Sequence, residues 1–153
     1  MAENKDKKFN SKILLFGEYS AIQNSMSLTL PYQEFGGSLS FNKHNNTSDF
    51  VQQSNQYLKD FANYIQQKLD DKSLTVNFNI ELLKADIENG LYFDSSIPQG
   101  FGVGSSGALV AAVYSNYCIN KLNLDVTPKK EEILELKKVL SVLESYFHGS
   151  SSG

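Results

Sequence analysis

The sequence has one cysteine, no tryptophan and no apolar run long enough to cross a bilayer. A lone thiol cannot form an intramolecular disulfide, and the first dozen residues are polar, so we expect a cytosolic protein without a membrane partner. Basic residues are also few, since 14 lysines and arginines stand against 17 carboxylates, for a net charge of −3. Binding to a phosphate backbone needs a positive face, so a nucleic-acid partner is not expected.

The length of 153 residues suits a single domain with a sizeable core. Residues 1–11 are polar and predict a flexible tail, which leaves residues 12–153 as the folded domain. Strand-like segments come first along the chain and helix-like segments follow. This order is typical of an α+β fold and differs from a regular βαβ repeat.

Several segments have the patterns of strands. Residues 12–16 are nearly all apolar, which predicts a buried strand, and residues 74–82 alternate apolar with polar side chains, which predicts a strand with one wet face. Residues 91–94 form another predicted strand. The remaining expectations are strands at 25–31 and 37–41 around a turn at 35–37, a polar loop at 44–48, and a turn at 86–90.

Three segments have the period of an amphipathic helix. Residues 54–69 form the first, with Ser54 as its N-cap, and residues 106 to about 121 form a second that is apolar enough to be central. The third opens at Thr127–Pro128. We expect the first and third helices to bury Tyr57, Leu58, Phe61, Ile65, Leu69, Ile133, Leu136, Leu140, Leu143 and Phe147.

The most informative segment is the glycine- and serine-rich stretch 97–108, between the strand at 91–94 and the central helix. Glycine lets the backbone bend tightly and lets a ligand approach the main chain. A helix that begins at Ser105 or Ser106 directs free N–H groups and its positive dipole end into the loop. The serine hydroxyls add a donor for phosphate and a hard oxygen for Mg²⁺. The stretch therefore predicts a nucleoside triphosphate site.

Two other glycine motifs and one structural alternative compete with this interpretation. Residues 102–107 spell G-x-G-x-x-G, but the dinucleotide fold needs an acidic residue at the end of a second strand, and Asp125 precedes a predicted helix start instead. A P-loop is excluded because no Gly-Lys-Ser or Gly-Lys-Thr occurs. A glycine-rich connection with only a packing role stays open.

Three motifs together resemble the GHMP kinases, which phosphorylate small metabolites. Residues 12–19 resemble the first family motif, and residues 98–108 resemble the second, Pro-x-x-x-Gly-Leu-Gly-Ser-Ser-Ala. Residues 144–153 resemble the mevalonate kinase segment Glu-x-x-x-His-Gly-x-x-Ser-Gly. The resemblance implies an α+β domain of the ribosomal protein S5 domain 2 type, with helices on one face of a mixed or antiparallel sheet. It also implies transfer of the γ-phosphoryl group of ATP to the C5 hydroxyl of mevalonate, a step of isoprenoid precursor synthesis.

The resemblance further implies roles for individual residues. Ser106 and Glu144 would hold Mg²⁺, and Lys12 would stabilise the transferred group as a catalytic residue. The residues implied to bind ATP are Ser95, Gly100, Phe101, Gly102, Val103, Gly104, Ser105 and Ser106. Those implied to lie at the substrate are Glu18, Tyr19 and His148. Each also has a structural alternative, such as a surface lysine, a loop carboxylate, a solvated helix face or a helix-terminal cation.

The chain departs from the family pattern at several positions. Tyr19 replaces a histidine and Gly107 replaces an alanine. The aspartate base and third glycine-rich motif of the family do not occur before Gly153, so we expect the N-terminal part of a longer kinase with little activity alone. Phosphomevalonate kinase, diphosphomevalonate decarboxylase, homoserine kinase and an inactive nucleotide-binding module stay as alternatives, and a homodimer is compatible with each.

Overall fold

The computed structural model describes residues 7–16, 28–42, 48–123 and 126–148. Within these residues the chain forms three strands and four helices. In chain order they are β1 (Phe9–Phe16), β2 (Leu28–Phe41), α1 (Asp49–Asp70), α2 (Ile80–Glu88), β3 (Leu91–Ser95), α3 (Ser105–Tyr117) and α4 (Lys130–His148). The strands form one antiparallel sheet in the order β1–β2–β3, against which α1 and α3 pack. The predicted α+β class is confirmed.

The core lies between the sheet and the helices, with α3 at its centre. Ala112 and Val113 on α3 are completely buried, as are Leu39 on β2 and Leu91 on β3. The prediction of a central helix is therefore confirmed, although the helix ends at Tyr117 and not near residue 121. It ends there because Cys118 turns to an extended conformation and forms a bridge with Phe78. In the described part of the chain, no helix has both the length and the apolar character to cross a membrane.

Strand β1 exists where it was predicted, but the prediction that it is buried is wrong. It begins at Phe9, three residues before the predicted start, and the four side chains from Ile13 to Phe16 are all exposed by more than a third. Phe16 is 70% exposed. An apolar run is buried on both faces only if other elements cover both faces. Among the described elements, β2 and α3 are the main neighbours of β1, and they leave these side chains largely uncovered.

Strand β2 is continuous, so the turn predicted at 35–37 is wrong. A Cβ on Gly37 would lie 2.2 Å from Cζ of Phe93, and one on Gly36 would lie 2.8 Å from the Phe9 carbonyl oxygen. Next to this point the β1–β2 register shifts, since Asn10 pairs with Gly36 while Ser11 pairs with Tyr32. The two glycines therefore let β2 lie close to Phe9 and Phe93, next to a bulge in the β1–β2 pairing. Residues 25–27 of the strand predicted at 25–31 lie outside the described residues, and so do residues 44–47 of the predicted polar loop.

The strand predicted at 74–82 is also wrong. Leu74 and Phe78 are buried and Thr75 is exposed, as the alternation indicates. However, the segment makes a single bridge, from Phe78 to Cys118, and α2 begins at Ile80. The side chain of Asn79 caps this helix by accepting a hydrogen bond from the Leu82 N–H at 3.2 Å. Helix α2 also replaces most of the turn predicted at 86–90, while the strand after it is confirmed as β3.

Helices α1 and α4 both start elsewhere than predicted. Ser48 is the N-cap of α1, and Ser54 lies inside the helix. Helix α4 begins at Lys130, after the predicted Thr127–Pro128 start, and the Lys129 N–H donates to Glu132 Oε2 at 2.7 Å in the manner of a capping box. The burial predicted for these two helices is confirmed for Leu58, Phe61, Ile65 and Leu143. Four other residues are only partly buried, namely Leu69, Leu136, Leu140 and Phe147. Tyr57 and Ile133 are exposed, so their predicted burial is wrong.

Candidate functional site

A cavity of about 1040 Å³ opens between the glycine loop, strands β1 and β3, and helices α1, α3 and α4. Segments far apart in sequence meet around it, because the antiparallel sheet brings β1 and β3 to either side of β2. Most of the residues singled out from the sequence line this cavity. They are Lys12, Ser95, Gly100, Gly102, Val103, Gly104, Ser105, Ser106, Glu144 and His148.

The glycine loop has a backbone that only glycine adopts readily. Gly100, Gly102 and Gly104 have φ of +81°, +67° and +82°, in the left-handed region. Gly104 is the N-cap of α3 and has no side chain to occupy the free N–H groups of the first turn. These main-chain donors and the positive helix dipole therefore face the cavity, where they suit an anion such as phosphate.

Lys12 reaches the loop from β1. Its backbone N–H donates to the Val103 carbonyl oxygen at 3.0 Å, which joins the strand to the loop. Its aliphatic stem crosses Gly104, because a Cβ there would lie 2.6 Å from Cγ of Lys12. Gly104 thus allows the loop its left-handed turn and also leaves room for the lysine. The arrangement brings a cation into a cavity whose floor consists of main-chain N–H groups.

Three polar side chains meet where α3 and α4 approach each other. Ser106 Oγ donates to Glu144 Oε2 at 3.3 Å and lies 3.3 Å from Nε2 of His148. The same His148 nitrogen is 3.5 Å from Glu144 Oε2. Glu144 and His148 are four residues apart, so both side chains leave α4 on one face. Gly107 makes room for this cluster, since a Cβ there would lie 3.2 Å from Glu144 Oε1.

The hydroxyl and the carboxylate of this cluster fit one divalent ion. Mg²⁺ takes oxygen ligands at about 2.1 Å in an octahedron, so neighbouring ligands lie roughly 3 Å apart. The 3.3 Å between Ser106 Oγ and Glu144 Oε2 is close to that spacing. Within the described ranges no group of three or more His, Cys, Asp or Glu side chains could hold a metal. Water and phosphate oxygens would therefore have to supply the other ligands.

The other predicted site residues differ in where they lie. Ser95, at the end of β3, lines the cavity and accepts a hydrogen bond from the Ile97 N–H at 3.1 Å. The Phe101 side chain is 78% exposed and is not part of the cavity wall. Glu18 and Tyr19 lie outside the described residues. Of the three residues implied to lie at the substrate, His148 is therefore the one that can be located, and it lines the cavity.

Sequence reasoning missed one wall of the cavity, on α1. Its members recur at positions i, i+3, i+4 and i+7, namely Phe50, Gln53, Ser54 and Tyr57. Ser54 Oγ accepts from the Phe93 N–H at 2.9 Å and donates to the Phe93 carbonyl at 3.0 Å, which fixes this wall to β3. The Tyr57 side chain is only partly exposed, and its partial desolvation raises the pKa of its hydroxyl. The spacing could have shown that these residues share a face, but not that the face lines a cavity.

A comparison with protein families matches residues 56–153 to a model described as the GHMP kinases N terminal domain. The match covers more than half of the chain and includes the glycine loop, α3 and α4. Lys12 and the rest of β1 precede the matched residues, so their place at the cavity rests on the structure. Neither the curated proteins nor the solved structures contain a significant match to the chain.

Proposed function

Since the chain belongs to the GHMP kinase family, whose members are phosphotransferases that generally use ATP, we propose that this cavity binds ATP with Mg²⁺ for the phosphorylation of a small alcohol. The observation that carries the proposal is the convergence of three groups in one cavity. They are the open N-terminus of α3, the Lys12 side chain, and the Ser106–Glu144 oxygen pair.

The triphosphate is the part of ATP that the glycine loop suits best. Main-chain N–H groups at the start of α3 can donate to phosphate oxygens without any side-chain rearrangement. The hydroxyls of Ser105 and Ser106 lie at the same helix end and can add further donors. Among the described residues, nothing lies within 4 Å of the position of a Cβ added at Gly100 or Gly102, so this part of the loop leaves room for a ligand.

Ser106 and Glu144 are the residues that would hold Mg²⁺. When bound, the ion offsets charge on the β- and γ-phosphates. Glu144 is half-buried, and without a cation its negative charge would repel the phosphates. His148 stands beside both oxygens and limits the directions from which water reaches them. The pair therefore makes triphosphate binding dependent on a divalent cation.

Lys12 supplies positive charge on the opposite side of the loop. The bond from its backbone to Val103 and the packing of its aliphatic stem on Gly104 bring the lysine to the cavity at the start of α3. A lysine there would stabilise negative charge that develops on the transferred phosphoryl group or on the acceptor oxygen. We assign it the catalytic role, in agreement with its place in the first sequence motif.

We propose mevalonate as the acceptor. The support is the segment Glu144–His148, which in sequence resembles that of mevalonate kinases and in the structure forms part of the cavity wall. Mevalonate carries a carboxylate and a primary alcohol, and Lys12 and His148 are cationic or hydrogen-bonding groups that could receive them. Other small alcohols of the family's chemistry remain the alternatives to be tested.

Calorimetric titration of the protein with ATP tests the nucleotide site. With excess Mg²⁺ we expect saturable binding that Ser106→Ala weakens about 10-fold, because the variant removes one metal ligand and one phosphate donor. Ser105→Ala is the matched control, since it removes a neighbouring hydroxyl outside the Glu144 cluster, and it should weaken binding less. No uptake of ATP by the wild type, or equal effects of the two variants, would contradict the proposed site.

A second experiment tests the acceptor. ADP release by the full-length gene product is measured with mevalonate, phosphomevalonate, diphosphomevalonate and homoserine in parallel, and CO₂ release from diphosphomevalonate is followed to detect a decarboxylase. We expect turnover with mevalonate to exceed that with the other substrates by at least 10-fold. A preference for another acceptor would reject mevalonate but keep the kinase, whereas binding of ATP without any turnover would support an inactive nucleotide-binding module.

A further inference from the structure

Tyr64 connects α1 to the helix that carries Glu144. Its hydroxyl donates to the Val142 carbonyl oxygen at 2.9 Å and lies 2.6 Å from Ser145 Oγ, which is 2.7 Å from the same carbonyl. The two hydroxyl protons are shared among these three contacts. The Tyr64 ring stacks on Phe61 at 6.5 Å and contacts the Tyr146 ring at 5.2 Å. The phenol is thus held on its own helix and reaches across to α4.

Helix α4 is anchored through its second half. Val139 and Leu143 are buried there, and Tyr146 and Phe147 contact the Phe61 ring of α1, whereas the first turns, up to Glu135, are exposed. Apolar packing is non-directional, so hydrogen bonds from α1 help to fix the rotation of this helix. The Tyr64 hydroxyl bonds on either side of Glu144, to the carbonyl two residues before it and the hydroxyl one residue after it.

Rotation of α4 matters because of the short distances on its other side. Successive residues of a helix differ by about 100° in direction, so Ser145 can face α1 while Glu144 faces Ser106 on α3. A side-chain atom about 5 Å from the helix axis moves nearly 2 Å when the helix rotates by roughly 20°. That displacement would separate the Glu144 and Ser106 oxygens, now 3.3 Å apart, beyond the span of one Mg²⁺.

We propose that Tyr64 is a positioning residue for the divalent cation, and that its hydroxyl holds α4 in the register that brings Glu144 to Ser106. The inference rests on the proposed function, since it concerns the same metal-dependent ATP site. Tyr64 itself is not in the cavity wall, so it acts through α4 and touches neither ATP nor the ion. Its role is therefore separable from direct binding.

Tyr64→Phe tests the inference because it removes the hydroxyl and keeps the stacked ring. ATP binding by the protein is measured by calorimetry at increasing MgCl₂ concentration and again in EDTA. We expect the Mg²⁺ concentration for half-maximal enhancement to rise about 3- to 10-fold, the loss expected for one hydrogen bond. Affinity in EDTA should stay within about 2-fold, because the glycine loop is unchanged.

Two further variants separate positioning from general stability. Tyr117→Phe removes a buried hydroxyl that donates to Asp86 on α2, so it should lower the melting temperature without moving the Mg²⁺ dependence. Ser145→Ala removes the other hydroxyl of the Tyr64 contact and should raise the Mg²⁺ requirement about 2-fold. It also serves as the test should Tyr64→Phe not fold.

The outcomes distinguish this inference from the proposed function. A wild-type protein whose ATP binding ignores Mg²⁺ would overturn both. A wild type that responds to Mg²⁺ while the Tyr64→Phe and Ser145→Ala variants respond at the same concentration would overturn the positioning role alone. A shift in the Tyr117→Phe control as large as in Tyr64→Phe would do the same, because it would trace the effect to stability.

Discussion

The cavity has two walls that are built in different ways. The glycine loop presents main-chain groups, and its three left-handed glycines continue into α3, whose Ala112 and Val113 are completely buried. The wall on α4 presents the side chains of Glu144 and His148, from a helix that is exposed over its first half. One wall is thus made of backbone on the core, and the other of side chains on a helix that only its second half anchors.

This difference predicts opposite sensitivities to substitution. A backbone wall loses its function when a side chain is added, because left-handed φ values and close approaches exclude a Cβ. A side-chain wall loses it when a functional group is removed or displaced. The loop should therefore determine the affinity for phosphate in general, and α4 should determine the dependence of that affinity on a divalent cation.

The largest effect is expected from Gly104→Ala. Gly104 has a φ of +82°, and a Cβ at this position would lie 2.6 Å from Cγ of Lys12. Both the loop and the lysine would therefore have to move. We expect ATP affinity to fall at least 10-fold with or without Mg²⁺, and the free energy of unfolding to fall by about 1–2 kcal/mol from the left-handed backbone. Calorimetry and urea unfolding measure the two quantities.

Gly90→Ala is the matched control for Gly104→Ala. Its φ of +85° carries the same backbone cost, its added Cβ would make an ordinary contact of 3.4 Å with Cβ of Asn42, and it is not among the residues that line the cavity. It should therefore lose similar stability and much less affinity. In addition, Lys12→Ala combined with Gly104→Ala should cost less than the sum of the single changes, because the contact between them is removed. Equal affinity losses at both glycines would refute a role for the Lys12 contact.

An intermediate effect on ATP affinity is expected from Glu144→Gln, and its direction should differ between Mg²⁺ and EDTA. With Mg²⁺ the variant should bind ATP about 10-fold more weakly, because a charged ligand is lost. In EDTA it should bind as well as the wild type or better, since one negative charge no longer repels the phosphates. Glu135→Gln removes an equal charge from an exposed position on the same helix and should change neither. Weakening in both conditions would mean that Glu144 supports the fold and not the ion.

The loop wall could be predicted from sequence because its determinants are local. Glycines that adopt a positive φ, a serine pair at a helix start and an apolar run after them all lie within residues 97–113. The meeting of Ser106 with Glu144, 38 residues later, came only from the family resemblance. The α1 wall could not be foreseen, because periodicity shows which residues share a face but not what the face opposes.

The errors in the fold have the same origin. The alternation in residues 74–80 correctly separates buried from exposed side chains, yet a strand also needs a partner. Within the described ranges, Cys118 is the one residue that forms a bridge with this segment. Likewise the run at 12–16 indicates an extended apolar segment, but whether it is buried depends on elements elsewhere in the chain. From their neighbours in sequence alone, Gly36 and Gly37 predict a turn. In the structure they lie within β2 and allow it to approach Phe9 and Phe93.

The smallest effect on the cavity is expected from Tyr117→Phe, at the far end of α3. Tyr117 is 1% exposed, and its hydroxyl donates to Asp86 Oδ2 at 2.8 Å. The change should leave ATP affinity within about 2-fold of the wild type. It should lower the free energy of unfolding at pH 7 by about 1–3 kcal/mol, because a buried carboxylate loses a hydrogen-bond donor. Urea unfolding with parallel calorimetry measures both.

The pH dependence of Tyr117→Phe separates this tyrosine from the walls of the cavity. Burial, and then the neighbouring Asp86 carboxylate, raise the pKa of Tyr117 above its ordinary value of 10.0. The wild type should keep this contribution to stability below about pH 10 and lose it at higher pH, because the unfolded chain releases a proton that the folded chain retains. The variant lacks that titration, so its unfolding free energy should approach that of the wild type between pH 10 and 11. Curves that stay parallel would show that Tyr117 releases its proton over the same pH range in the folded and the unfolded chain, which would contradict the raised pKa.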